Sequence, residues 1–287
     1  MTHTVFANPP SQSRNRQLGG LALWSLEQEA RLSPKPGLVD SRGTGAHSDM
    51  TLSLLLKSAE CLEPWFVQMS QAAFCSKTDG ELRSQIGWLG RKAEQKMLAV
   101  TEGVNTHRGA IWALGLLVTA AATHSDSEQG LLARAAELAC LADPNASESA
   151  SPTNGQRVFE NYRLPGAKEQ AQLGFPHLRD LGLPFLRQSR KNGDPESVAR
   201  LNALLAIMTE ITDTCVLSRA GLTGLETMQK GAMAVLASGG SGSFGGRKAL
   251  AQLELKMLEL NASAGGAADL LAATLFVDRL FSIQLTT

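Results

Sequence analysis

Apolar residues recur at helical spacing along most of this chain, and one long stretch breaks the pattern. It runs Ser33-Pro34-Lys35-Pro36-Gly37-Leu38-Val39-Asp40-Ser41-Arg42-Gly43-Thr44-Gly45-Ala46-His47-Ser48-Asp49-Met50. No helix passes through it. Pro34 and Pro36 lack a backbone donor and push the residue before each toward extended geometry. Gly37, Gly43 and Gly45 admit backbone angles closed to other residues. The stretch also gathers Lys35, Asp40, Arg42, His47 and Asp49 into a short span. Long loops between helices more often carry function than short ones, so this one reads as a wall of an active site.

The flanks are helical. Leu18, Leu21, Ala22, Leu26 and Ala30 predict a helix over 17–32, with Glu29 in its last turn facing the loop. Ser48 or Asp49 can cap the next helix, through about 74, which Pro64 is expected to bend or divide. A helix over 80–100 is interrupted at Gly103-Val104-Asn105-Thr106-His107-Arg108-Gly109. Residues 110–123 are apolar almost all round, which places that helix in the core. Another helix ends near 141, a Ser-, Asn- and Pro-rich loop follows, and a short helix is expected near Arg157. Further helices are expected at 177–191, 195–210, 222–238, 246–260 and 264–283. No segment shows strand alternation and no solenoid repeat is present. The expected fold is all-α: a compact multi-helix single domain over 17–287, with an active site at converging helix ends. Residues 1–16 are expected to form a flexible N-terminal extension.

Composition excludes some classes of partner. Lys plus Arg and Asp plus Glu each number 27, so the chain has no net charge and no general basic surface for nucleic acid. Aromatics are only 5%, with one tyrosine, Tyr162, too few for base-stacking platforms. Cys61, Cys75, Cys140 and Cys215 form no C-x-x-C pair and sit in apolar helical contexts, as reduced thiols of a cytoplasmic protein would. Asn8, Pro9, Pro10 and Arg14 interrupt the place where a signal peptide would lie, and no apolar run is long enough for a membrane span.

Four polar joints remain: the Pro-Lys-Pro loop, Asn105-Thr106-His107-Arg108, Asp213-Thr214-Cys215, and Gly265-Gly266-Ala267-Ala268-Asp269. Each falls at a helix boundary. Helix N-termini offer free N–H groups and partial positive charge, which suit phosphates. Carboxylates beside them suit Mg²⁺ shared with those phosphates. Structural roles compete for the same residues. Asp49 can be a cap, Asp213 and Asp269 can complement helix dipoles, Asn105 and Thr106 can cap, and His47 and His107 can be bonded within their loops. The glycines from Gly239 to Gly246 lack the order of a phosphate-cradling loop and read as a connector. Cys215 has no activating neighbour in sequence.

The joints taken together are more specific. Glu29, Pro34-Lys35-Pro36-Gly37-Leu38-Val39-Asp40 and Gly45-Ala46-His47-Ser48-Asp49-Met50 resemble the triphosphoribosyl-dephospho-CoA synthase family. These enzymes make the prosthetic-group precursor of the acyl carrier subunits of citrate lyase and malonate decarboxylase. Gly103 to Gly109 is similar to a second family signature, with Arg108 where Lys is commoner. Gly166-Ala167-Lys168-Glu169-Gln170-Ala171 with Gly174-Phe175-Pro176 is similar to a third. Asp213-Thr214-Cys215 and Gly265 to Ala272 resemble two more, with Cys215 where Asn is frequent and Ala264 where Pro is. The resemblance runs from about Leu18 to Leu280 and leans toward the malonate decarboxylase branch. It implies transfer of the triphosphoribosyl group of ATP to 3′-dephospho-CoA, with adenine released. On that reading the catalytic candidates are His47, Asp49, His107 and Glu29, with a histidine as base. Lys35, Asn105, Thr106, Arg108, Asp213 and Arg219 are the substrate-binding candidates, and Asp40 and Asp49 the Mg²⁺ ligands. The chain would be cytoplasmic, without nucleic-acid or membrane partners, and could form a homo-oligomer.

Two other readings use the same residues. An all-α, Mg²⁺-dependent hydrolase of nucleotides or ADP-ribosyl groups would use water as acceptor. A helical binding scaffold would show exposed apolar faces and no converging polar cavity.

Overall fold

The computed structural model describes residues 12–124, 126–146, 157 and 160–284. Among them the elements are helical: α1 Gln12–Arg31, α2 Leu52–Cys75, α3 Asp79–Val100, α4 Arg108–Thr123, α5 Glu128–Cys140, α6 Ala167–Gln172, a π-helical turn His177–Gly182, α7 Leu183–Lys191, α8 Glu196–Glu210, α9 Thr214–Ala237, α10 Phe244–Glu259 and α11 Gly265–Gln284. The extended pairing present among the described residues is a single bridge, Asp40 with Gly43. The all-α expectation holds.

Several boundaries differ from the sequence reading for local reasons. Helix α1 begins at Gln12, so residues 12–16 of the expected extension are helical; residues 1–11 lie outside the described residues. The cap of α2 is Thr51, in extended geometry, whose hydroxyl accepts the Leu54 N–H at 3.2 Å. Ser48 and Asp49 remain in the loop. Pro64 lies inside a continuous α2 and on its exposed face, so the carbonyl it leaves without a donor is near water. Helix α9 starts at Thr214 and carries a kink at Gly221, whose φ is +61°. The short helix expected near Arg157 falls largely outside the described residues; Arg157 itself is helical. The four cysteines are free thiols, but Cys75 and Cys140 are exposed rather than packed.

Two helices organise the core. In α4, Ala110, Leu114, Leu117, Val118 and Ala121 are buried, and its neighbours include α1, α2, α3, α5 and α11. In α11, Ala267, Leu271, Ala273, Phe276 and Val277 are fully buried, against α1, α4, α8 and α9. Each buried Leu or Phe contributes about 1.5–3 kcal/mol on leaving water. An apolar helix enclosed on all sides has fixed ends, and both α4 and α11 begin at the same edge of the bundle. The 32–51 loop closes over that edge. Gly37, with φ +69°, lets its backbone come so near the chain just after α10 that a Cβ would stand 2.4 Å from the Ala262 carbonyl oxygen. Gly45, with φ +57°, does the same against the Leu38 carbonyl at 2.5 Å. The loop is therefore a fitted part of the core's edge.

Candidate active site

The last turn of α1, the 32–51 loop and the beginnings of α4, α9 and α11 enclose a cavity of about 290 Å³. Its wall includes Glu29, Lys35, His47 and Asp49 from the first joint and Asn105, Thr106, His107 and Arg108 from the second. Cys215 and Arg219 come from the third, and Gly265 and Asp269 from the fourth. All four joints meet in one place, although the chain between them forms most of the protein.

Lys35 and Glu29 form the floor. The Lys35 side chain is 1% exposed, and its Nζ donates to Glu29 Oε1 at 2.5 Å and to the Glu29 carbonyl at 2.8 Å. A buried ammonium needs such a partner. Lys35 is thus neutralised within the wall, which weakens its candidacy as a free phosphate clamp.

His107 stands at the N-terminal boundary of α4, buried, with Nδ1 bonded to Ser58 Oγ at 2.9 Å. Ser58 Oγ also lies 2.6 Å from Thr106 Oγ1. Nε2 of His107 has no hydrogen-bond partner. Burial, with Lys35 adding to it, lowers the His107 pKa to about 4, so the ring is neutral near pH 7. His47 places Nε2 at 2.8 Å from Ser263 Oγ and Nδ1 at 3.5 Å from Asp49 Oδ1. Burial and then the charge of Arg219 lower its pKa, and Asp49 works in the opposite direction. The guanidinium of Arg219 bonds the Ala46 carbonyl and both oxygens of Asn261, tying the loop to the chain just before α11.

Asp269 is the residue that the candidate set lacked. It sits one turn into α11 with its carboxylate against the start of α4: a Cβ on Gly109 would meet Asp269 Oδ2 at 2.1 Å. Burial, then the negative charges of Glu29 and Asp213, raise its pKa well above the ordinary carboxylate value. The signal in sequence was its place at the end of the Gly-Gly-Ala-Ala-Asp joint. What was invisible is that Gly109, distant in sequence, leaves room for it. Ser263, the partner of His47, was missed for the same reason.

Two of the expected residues, Asp40 and Asp213, lie off the cavity wall. The oxygens of Asp40 are occupied. Arg42 reaches it through Nε at 2.9 Å and Nη2 at 2.7 Å, and the backbone N–H groups of Lys35 and Arg42 donate at 2.9 and 2.7 Å. Burial opposes its ionisation, and these bonds more than offset that, lowering its pKa. It folds the loop and has no free lone pairs arranged for a metal. Asp213 is fully buried and joins two helix starts. Its Oδ1 accepts from Cys215 and Val216 at 2.9 and 3.1 Å, and its Oδ2 from Ala267 at 2.9 Å. It is a shared cap rather than a substrate contact. Asn105 Oδ1 accepts the Arg108 N–H at 3.2 Å, so its side chain is partly used in capping α4. Cys215 faces the cavity, but burial and the nearby Asp213 and Asp269 push its thiol pKa up, away from thiolate chemistry.

The profile of the ATP:dephospho-CoA triphosphoribosyl transferases matches residues 15–286. The chain belongs to that family. It is 53% identical over 272 residues to the 2-(5″-triphosphoribosyl)-3′-dephosphocoenzyme-A synthase of Klebsiella pneumoniae, covering 94% of this chain and 96% of that protein. It is 54% identical over 277 residues to the probable synthase of Azotobacter vinelandii, covering 96% and 94%. To the probable synthase of Stutzerimonas stutzeri it is 56% identical over 282 residues, covering 98% and 96%. No solved structure matches. Of the first two motifs by which the sequence resembled this transferase family, Glu29, Lys35, His47, Asp49 and Asn105 to Gly109 meet in the cavity, while Asp40 does not. The third motif, Gly166 to Ala171, does not reach it. Its Glu169 carboxylate accepts the Gly166 N–H at 2.8 Å, and its Ala167 carbonyl holds the Trp112 indole N–H at 3.2 Å.

Proposed function

We propose that this cavity transfers the triphosphoribosyl group of ATP to a ribose hydroxyl of 3′-dephospho-CoA and releases adenine. The observation that carries the reading is the meeting of four separate polar joints in one cavity, in a chain of this family. The C1′–N bond to adenine breaks and a C1′–O bond to the acceptor forms. The proton lost by the hydroxyl is balanced by the proton gained by adenine.

The neutral Nε2 of His107, buried behind the wall and without a partner, suits the removal of the hydroxyl proton once the acceptor reaches it. His47, held by Ser263, is the second candidate for that role. Asp269, with its raised pKa, suits the delivery of a proton to the departing base. Glu29, in the same wall and paired there with Lys35, is the carboxylate candidate to face the positive charge that grows at C1′. Arg108, paired with Glu94, and Arg219, which also holds the loop, are the candidate contacts for phosphate.

Among the described residues no three His, Cys, Asp or Glu side chains cluster as a metal cage. Mg²⁺ usually takes one or two carboxylates and completes its shell with phosphate oxygens and water. Asp49, on the cavity wall and bonded to no arginine, fits that requirement and would hold Mg²⁺ with the triphosphate; Asp40 does not fit it. When bound, the ion would neutralise charge on the triphosphate. We propose that the carrier served by the product is of the malonate decarboxylase type and that the compartment is the cytoplasm.

Mass spectrometry of products from the purified chain, ATP, Mg²⁺ and dephospho-CoA tests the reading. Adenine and the triphosphoribosylated acceptor are expected together, and only with acceptor present. Adenine released at the same rate without dephospho-CoA would overturn transfer in favour of hydrolysis.

A further inference from the structure

A second cavity, of about 300 Å³, lies between α3, α4 and the chain after α5, and Arg108 belongs to the walls of both. Its sides are Met69, Ile86, Ile111 and Leu116, and glycines of α3 and α4 open it toward the helix backbones. Three arginines and two carboxylates line it: Arg83 and Arg91 both reach Asp143, and Arg108 pairs with Glu94, which leaves one positive charge in excess. Arg91 bonds Asp143 at 2.5 Å, and Arg83 lies over the Trp112 ring with its guanidinium carbon 5.4 Å from the centroid. Arg108 pairs with Glu94 through its Nη2, while its Nε is buried and has no partner, so a diphosphate there would take up the Nε and share the guanidinium with Glu94.

The reaction needs more room than the first cavity has. A volume near 290 Å³ is at the lower end for one drug-sized ligand, and this reaction brings together two substrates, each at least that large. Both adenines and both riboses must lie near the bond being exchanged. The triphosphate and the acceptor's diphosphate-pantetheine arm point away from it. The triphosphate is fully anionic and suits the polar helix starts. The pantetheine arm is a neutral chain with a gem-dimethyl group and two amides, and suits an apolar cleft with an arginine at its entrance.

We infer that this second cavity binds the pantetheine arm of 3′-dephospho-CoA, with Arg108 holding the acceptor's diphosphate where the two cavities meet. The inference rests on the transfer reaction proposed above. It also gives the third family-like motif a function. By holding the Trp112 indole on the Ala167 carbonyl, that motif sets the position of the ring that carries Arg83 and so shapes the cleft.

Gly90 is the place to test it. A Cβ there would stand 3.9 Å from Met69 Cε, an ordinary contact with open space beyond. Gly90→Leu puts a branched side chain in the cleft and favours the helix, whereas Gly90→Ala leaves it open. The Leu variant is expected to raise KM for dephospho-CoA at least tenfold, and further than the Ala variant does, with KM for ATP within about twofold. Gly90→Cys, alkylated with N-ethylmaleimide and read at that peptide by mass spectrometry, gives a test independent of turnover. Dephospho-CoA should slow its alkylation about fivefold or more. ADP, which has the nucleotide and diphosphate without the arm, should not. Unchanged acceptor KM in a folded Leu variant, a rise in KM for ATP instead, or equal protection by ADP would overturn the inference. Wild-type protein that forms no triphosphoribosylated acceptor would instead overturn the proposed function, and the two failures are distinct.

Discussion

Lys35→Met is the substitution whose consequence the structure determines most directly. The ammonium is enclosed, with 1% side-chain exposure, and its two bonds both go to Glu29, at 2.5 and 2.8 Å. Methionine retains the apolar stem and removes the charge. The Glu29 carboxylate, whose side chain is 8% exposed, then remains buried without a counter-charge and beside the carboxyl of Asp269. Removing one member of a buried ion pair typically costs about 3–5 kcal/mol, mostly through the charge left behind. In a chain of this size that is roughly 6–10 °C in Tm, at about 2 °C per kcal/mol. The double variant Lys35→Met/Glu29→Gln removes both charges and should recover at least half of the loss, a coupling that a double-mutant cycle measures. Urea unfolding at pH 7 followed by circular dichroism is the assay, with equal m-values as the check on two-state behaviour. A single variant within about 1 kcal/mol of the wild type, or a double variant no better than the single, would refute the account of a buried, mutually dependent pair.

Other expectations concern titration, capping and the metal. The folded-state pKa of His107, about 4, lies below its unfolded value near 6.5. The unfolded chain therefore binds more protons in that window, and stability should fall as pH drops from about 6.5 to 4, by up to roughly 3 kcal/mol; His107→Gln should flatten that part of the profile. His107→Ala should lower kcat by about 10²-fold or more if its Nε2 is the base, with little change in either KM; a variant of normal kcat would assign the base to another residue. Asp213→Ala loses three hydrogen bonds at two helix starts and should destabilise by roughly 2–4 kcal/mol, with KM values of the folded fraction unchanged. Asp49→Asn should raise the Mg²⁺ concentration needed for half-maximal activity by about tenfold, while Asp40→Asn should lower stability and leave that concentration unchanged; the reverse pattern would return the metal to Asp40.

What the amino-acid sequence determined by itself was the local architecture and its interruptions. The run from Ala110 to Thr123, apolar almost all round, had to be a core helix, because little of its surface could be left in water. The prolines and glycines from Pro34 to Gly45 had to form a loop, because helical backbone is closed to them in that order. Polar residues clustered at such breaks marked the site in advance. What only the tertiary structure decided was which of those residues face the cavity. Asp40 and Asp49 lie in one loop, yet Arg42 and two backbone N–H groups turn Asp40 inward while Asp49 stays at the wall. Asp213 and Asp269 both stand at helix starts, yet Asp213 is used up by an N–H that lies 54 residues away in sequence, and Asp269 is admitted to the cavity edge by the missing side chain of Gly109. Residue type and spacing are local properties. The direction of a polar side chain at a helix end depends on which distant donor or gap meets it, and that exists only once α4, α9 and α11 have packed.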